Sequence, residues 1–111
     1  MSSLVYDIAI IGAGASGLQL VFELTKANPE QNILLLDSGD RSPKRWCFWD
    51  NKKATCFPFL IEKSWDSMLY KTSKGESITS EINPLAYHYI SSNHFFTYFF
   101  EEFIPTHPNI T

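Results

Sequence analysis

Three glycines, Gly12, Gly14 and Gly17, follow directly on an aliphatic run, and Asp37 closes a second aliphatic run twenty residues past the last of them. Glycine packs worse than Ala or Leu and costs more backbone entropy to order, so three within six positions require a reason. Backbone without a Cβ can turn sharply and lets a bulky anion come close, and N–H groups left free where a helix begins favour negative charge. A carboxylate at the end of the following strand suits sugar hydroxyls. These residues could therefore hold a phosphorylated ribose. Gly12, Ala13, Gly14, Ala15, Ser16 and Gly17 would face the phosphates, with Asp37 and Ser38 at the sugar. An acid at position 37 disfavours a 2′-phosphate there.

The elements that must position them can be read from the same stretch. Val5 to Ile11 is rich in β-formers and, apart from Asp7, continuously apolar, which predicts a strand buried on both faces of a parallel sheet. Leu18, Val21 and Phe22 then recur at helical spacing, Leu20 and Leu24 widen the stripe, and Asn28-Pro29 stops it. The run NILLLD at 32–37 is a second strand ending on the acid. Residues 1–40 thus form a strand–helix–strand unit of the dinucleotide-binding type. In it Gly12 turns the chain out of the strand, Gly14 admits a pyrophosphate, and Gly17 lets the helix pack closely on the strand. The motif does not choose between FAD and NAD. Its place at the start of the chain favours FAD, by analogy with flavoproteins that open this way.

Composition narrows the class. A chain of 111 residues suits one small domain, and 44% hydrophobic residues supply a packed core. A net charge of -3 with scattered basic residues leaves no footprint for nucleic acid. The two cysteines, Cys47 and Cys56, read as reduced thiols, too far apart for C-x-x-C redox or zinc spacing, and no metal site is expected. MSSLVYD lacks the basic and long apolar regions of a secretory signal, and no segment is long enough to span a bilayer. The expected location is the cytoplasm, with peripheral membrane contact left open.

Residues 41–111 do not continue as a regular doubly wound sheet. SGDRSPKRWCFW at 38–49 reads as a polar, turn-rich loop leading into an aromatic cluster. SWDSMLYKT at 64–72 and ESITSEI at 76–82 flank SKG as a β-hairpin, and YHYI at 87–90 reads as a short strand. HFFTYFFEEFI at 94–104 places Phe96, Phe99, Phe100 and Phe103 at helical spacing. The expected fold is α/β, a Rossmann-like FAD/NAD(P)-binding domain with a βαβ start and an inserted β-hairpin element, present as an incomplete, N-terminal fragment.

The opening motif together with RWCFW (Arg45 to Trp49) resembles the lycopene cyclase family, flavoproteins of carotenoid biosynthesis. Trp46-Cys47-Phe48-Trp49 is the discriminating part, and the KSW stretch, the Tyr87, Tyr89, Ile90 pattern and HPNI at 107–110 extend the likeness over essentially the whole chain. Family members often carry Asp or Asn, a basic residue and Thr before that Trp, where Pro43, Lys44 and Arg45 stand here. The resemblance implies a lycopene β-cyclase. Such an enzyme converts the ψ-ends of lycopene to β-ionone rings by acid-initiated cyclisation without net redox change, with reduced FAD as cofactor and NADPH as reductant. It also implies that the chain is the N-terminal third of a longer protein. The catalytic acid and a later flavin motif would then lie in the missing C-terminal part, so this chain alone is expected to be inactive.

Two other classes compete: a piece of another FAD-dependent oxidoreductase or monooxygenase, and a non-catalytic binding remnant. Trp46, Phe48 and Trp49 suit a flavin or polyene pocket, or the core. Cys47 reads as buried filler, His88, His94 and His107 as packed or surface residues, Glu101-Glu102 as a solvated helix face, and the Phe-rich stretch as a core helix. A chain with one strand–helix–strand unit is also expected to leave apolar sheet faces uncovered and to aggregate readily.

Overall fold

The computed structural model describes residues 5–53, 55 and 57–111. The architecture is α/β, and the chain divides into two compact units, Met1–Ser42 with Phe96–Thr111, and Pro43–Phe95.

In the first unit the aliphatic runs form β1 (Ile8–Ile11) and β2 (Ile33–Leu36), joined by helix α1 (Ala15–Ala27). The strands are parallel, in register from Ile8 opposite Ile33 to Ile11 opposite Leu36. Helix α1 ends at Asn28, as the Asn-Pro pair dictates. A second parallel pairing lies on the other side of β2. Ile33 N–H donates to the Asn109 carbonyl at 2.9 Å, Thr111 N–H to Ile33 O at 2.9 Å, and Leu35 N–H to Thr111 O at 2.8 Å. The spatial order is therefore residues 109–111, β2, β1.

Leu18 and Val21 of α1 are fully buried, together with Ile33 and Phe99, and Ile10 is buried as well. The opposite face of the sheet differs from expectation, for Ile11 is 87% and Leu36 47% exposed. Side chains alternate along a strand, and α1 lies against one face alone, so the continuous apolar run is buried on one side and open on the other. The uncovered apolar face follows the expectation for a single strand–helix–strand unit.

The second unit contains a three-stranded antiparallel sheet in the order β3 (Arg45–Asn51), β7 (Leu85–Ser91), β4 (Lys63–Trp65). A separate hairpin pairs β5 (Ser67–Lys71) with β6 (Ser77–Glu81). The hairpin around SKG is thus present, but its expected first arm divides at Asp66, the residues before it pairing with β7 instead. The aromatic cluster expected to follow a loop is strand β3. Trp46, Phe48 and Asp50 are half-buried while Arg45, Cys47 and Trp49 are exposed, the period-two pattern of a strand with one covered face.

The Phe-rich segment is helical as expected, starting at Ser92. Helix α2 (Ser92–Thr97) widens into a π-helical stretch, Tyr98–Phe103, and a final 3₁₀ turn, Ile104–Thr106. Phe99 and Phe103 are buried, and Phe22 of α1 packs against both, with ring centroids 6.4 and 5.4 Å away. Among the described residues no helix is long and apolar enough to cross a membrane.

Candidate functional site

The glycine loop joins the end of β1 to the start of α1. Gly12 holds φ at +105°, a conformation that side chains with a Cβ rarely adopt, and its N–H donates to the Leu36 carbonyl at 2.7 Å. The chain thereby turns out of the sheet as expected. A Cβ built on Gly17 would lie 1.9 Å from the Gly12 carbonyl oxygen and 3.6 Å from an Ile10 methyl, so the helix approaches strand and turn as only glycine permits. Gly14 is different. A Cβ there would meet nothing within 4 Å, and its φ of -85° is open to any residue. No contact within the described chain calls for glycine at 14.

Gly14 caps α1 with its carbonyl, which accepts from Leu18 N–H at 3.0 Å. The N–H groups of Ala15, Ser16 and Gly17 precede that first intrahelical bond, so they lie in the turn where a helix leaves donors without internal partners. Ser16 and Gly14 are exposed, and Ala15 and Gly17 half-buried. Ala13 is buried, and its N–H donates to Asp37 Oδ1 at 3.2 Å. The Ala13 amide is thus committed to the acid at the end of β2 and ties the loop to it.

Asp37 accepts once more on its other oxygen, from Gly39 N–H at 3.1 Å, and the same oxygen forms an ion pair with Arg41 Nη2 at 3.7 Å. These donors, the Ala13 and Gly39 amides first and the Arg41 charge after them, hold the carboxyl below the usual carboxylate range and outweigh its slight desolvation. The group is a carboxylate at neutral pH. Ser38, exposed, accepts from Asp40 N–H at 3.4 Å. The sequence reading singled out Gly12 to Gly17, Asp37 and Ser38, and the structure gathers them at the ends of β1 and β2. It missed Arg41, whose guanidinium carbon lies 3.9 Å from the centroid of the Phe100 ring. Residues 37–41 form no helix, so the spacing from Asp37 carried no signal.

The second unit holds the remaining sequence candidates. Trp46 packs edge-on against Phe95 at 5.0 Å, Phe48 lies 5.4 Å from His88, and Trp49 lies 4.7 Å from Tyr87. Cys47 is exposed, not buried filler, because it sits on the open face of β3. Its thiol beside the Tyr87 hydroxyl holds that phenol above its ordinary value. His88 is buried with Nδ1 2.7 Å from Ser64 Oγ, and exposed His94 pairs with Glu62. In the first unit His107 stacks on Phe103 at 4.2 Å, and Glu101 and Glu102 are exposed. Among the described residues no three His, Cys, Asp or Glu side chains are grouped to hold a metal. Cys56 and the first four residues lie outside the described residues.

Strand, glycine turn, helix, strand and acid meet at one end of the first unit of an α/β chain. The chain belongs to the lycopene cyclase family, whose model, described as lycopene cyclase protein, matches residues 7–108. It is also 35% identical over 71 residues to pyridoxine 4-oxidase of Microbacterium luteolum, a match covering 64% of this chain and 13% of that protein. The chain thus spans a small part of the curated relative it matches. No solved structure matches it.

Proposed function

We propose that residues 1–40, the βαβ unit within the 1–111 portion of an FAD/NAD(P)-binding domain, hold the adenosine and pyrophosphate half of FAD. The order 109–111, β2, β1 supports a Rossmann-like sheet, since a third parallel strand beside the second is how that fold continues. The observation that carries the reading is Gly14. The fold needs glycine at 12 and 17 for its own turn and packing, whereas at 14, beside the first turn of α1, the Cβ-sized space is open. A pyrophosphate fits there, facing the amides of Ala15, Ser16 and Gly17 and the positive end of α1. Asp37, ionised and with lone pairs to spare, takes a ribose hydroxyl, and Ser38 lies beside it.

Family membership supports a further step, that the whole protein is a lycopene β-cyclase turning the ψ-ends of lycopene into β-ionone rings. In that reading reduced FAD, maintained by NADPH and held by the glycine loop and Asp37, would supply electron density toward a developing positive charge, which is where preorganised electrostatics count most. In this reading the catalytic acid lies in a C-terminal part of the same protein, and the enzyme works from the cytoplasm with peripheral access to the membrane that dissolves its substrate. The test of the site is titration of the chain with FAD and FMN, followed by flavin fluorescence. FAD binding that Gly14→Val abolishes supports the site, and FMN binding as tight as FAD removes the adenosine–pyrophosphate assignment.

The likeness to an oxidase favours a second reading, a portion of another FAD-dependent oxidoreductase or monooxygenase. Expression of the full-length protein in lycopene-accumulating cells separates the two. Ring-bearing carotenes support the cyclase, and unchanged lycopene with flavin turnover on oxygen supports the oxidoreductase.

A further inference from the structure

We propose that Arg41 is a stacking shelf for the purine ring of the bound nucleotide, an inference that rests on the dinucleotide reading of the same site. A free arginine side chain samples many rotamers, but this one is held at two points. Its Nη2 lies 3.7 Å from Asp37 Oδ2, and its guanidinium carbon rests 3.9 Å from the centroid of Phe100, with Phe96 at 5.7 Å. Phe96 and Phe100 are themselves 6.2 Å apart, so the guanidinium lies on a paired aromatic floor. The side chain is still 38% exposed, which leaves part of the planar cation open to solvent.

A planar, weakly hydrated cation with an accessible surface takes a flat, electron-rich heterocycle. The position selects which one. A ribose hydroxyl bonded to Asp37 brings the base carried by that ribose within a few ångström of the carboxylate, where Arg41 is already fixed. A 2′-phosphate is the competing occupant of an arginine in this place, and Asp37 argues against it by neutralising the guanidinium and repelling the anion. Phe100, Arg41 and the purine would then form a stack of three flat groups, assembled on one side before the ligand arrives.

The experiment titrates the 111-residue chain with ADP and, separately, with inorganic pyrophosphate, in the wild type, Arg41→Lys and Phe100→Leu, with far-UV circular dichroism to confirm folding. Lysine keeps the charge and loses the plane; Phe100→Leu keeps Arg41 and removes its floor. The expected result is that Arg41→Lys weakens ADP by roughly 5- to 150-fold, the range for loss of one base stack, with pyrophosphate affinity unchanged. Phe100→Leu shifts ADP in the same direction by less. ADP binding to Arg41→Lys as tight as to the wild type overturns the proposal. Equal weakening of ADP and pyrophosphate also overturns it, since Arg41 would then be a phosphate contact. A wild-type chain that binds neither probe removes the dinucleotide reading itself, a failure distinct from both of these.

Discussion

Replacing Gly17 by Ala tests the packing that shapes the glycine loop. The added Cβ would sit 1.9 Å from the Gly12 carbonyl oxygen, against a practical minimum near 3.0 Å, so helix and turn must separate by about 1.1 Å. The obstacle is backbone, held in turn by the Gly12 N–H bond to Leu36, so no side chain can swing aside. Overpacking costs about 1–3 kcal/mol, and a rigid backbone obstacle at 1.9 Å puts this site at the upper end, about 2–3 kcal/mol. Alanine recovers part of it, since Gly inside a helix is about 1 kcal/mol worse than Ala. The net loss is about 1–2 kcal/mol, which lowers the folded-to-unfolded ratio roughly 5- to 30-fold. Urea unfolding followed by the helical circular dichroism signal reads it as a lower midpoint at unchanged slope. Gly14→Ala is the control: with nothing within 4 Å of its Cβ it should stay within about 0.5 kcal/mol of the wild type while losing FAD affinity. A Gly17→Ala protein as stable as the wild type would refute the close approach of α1 to the turn.

Further outcomes follow from other parts of the molecule. Asp37 and Asp66 both have carboxyls held below the ordinary value of 3.8, Asp37 chiefly by the Ala13 and Gly39 amides and Asp66 by Lys52. Their stabilisation is therefore complete above that value and lost as pH falls through and below it. The gap in urea midpoint between wild type and Asp37→Asn should accordingly close as pH drops from 6 towards 2. Phe99→Ala removes a fully buried ring packed edge-on to Phe22 and should cost about 3–5 kcal/mol, visible as loss of the cooperative thermal transition. Ile11→Lys, on the open sheet face, should leave the unfolding midpoint within about 0.5 kcal/mol of wild type and reduce light scattering on concentration. Exposed Cys47 should react with a thiol reagent in the folded chain without prior unfolding.

The local grammar of the first forty residues was legible because each signal is set by near neighbours. Gly12 and Gly17 announce a turn and a close approach, Leu18 and Val21 a buried helix stripe, and Asn28-Pro29 a stop. Burial is not local. The run from Ile8 to Ile11 reads the same whether one face or two are covered, and only the placement of α1 shows that Ile11 stays open. Strand β3 was hidden for a related reason. Its aromatic residues follow a turn-rich stretch, and the alternation of Trp46 and Phe48 with Arg45 and Cys47 acquires meaning only once β7 lies opposite. In the site, Asp37 could be found by its distance from the glycines. The Arg41–Phe100 contact joins residues far apart in sequence, and no local pattern foretells it.

The second unit enters and leaves through a narrow neck. Lys44 N–H donates to Ser92 Oγ at 2.7 Å, and Ser92 N–H donates back to the Lys44 carbonyl at 3.0 Å, with Ser92 almost wholly buried. This reciprocal clasp closes a loop of nearly fifty residues on itself. An excursion fastened at its base is a cassette: its interior can be lengthened, shortened or exchanged while the two chain ends it presents stay at a fixed spacing.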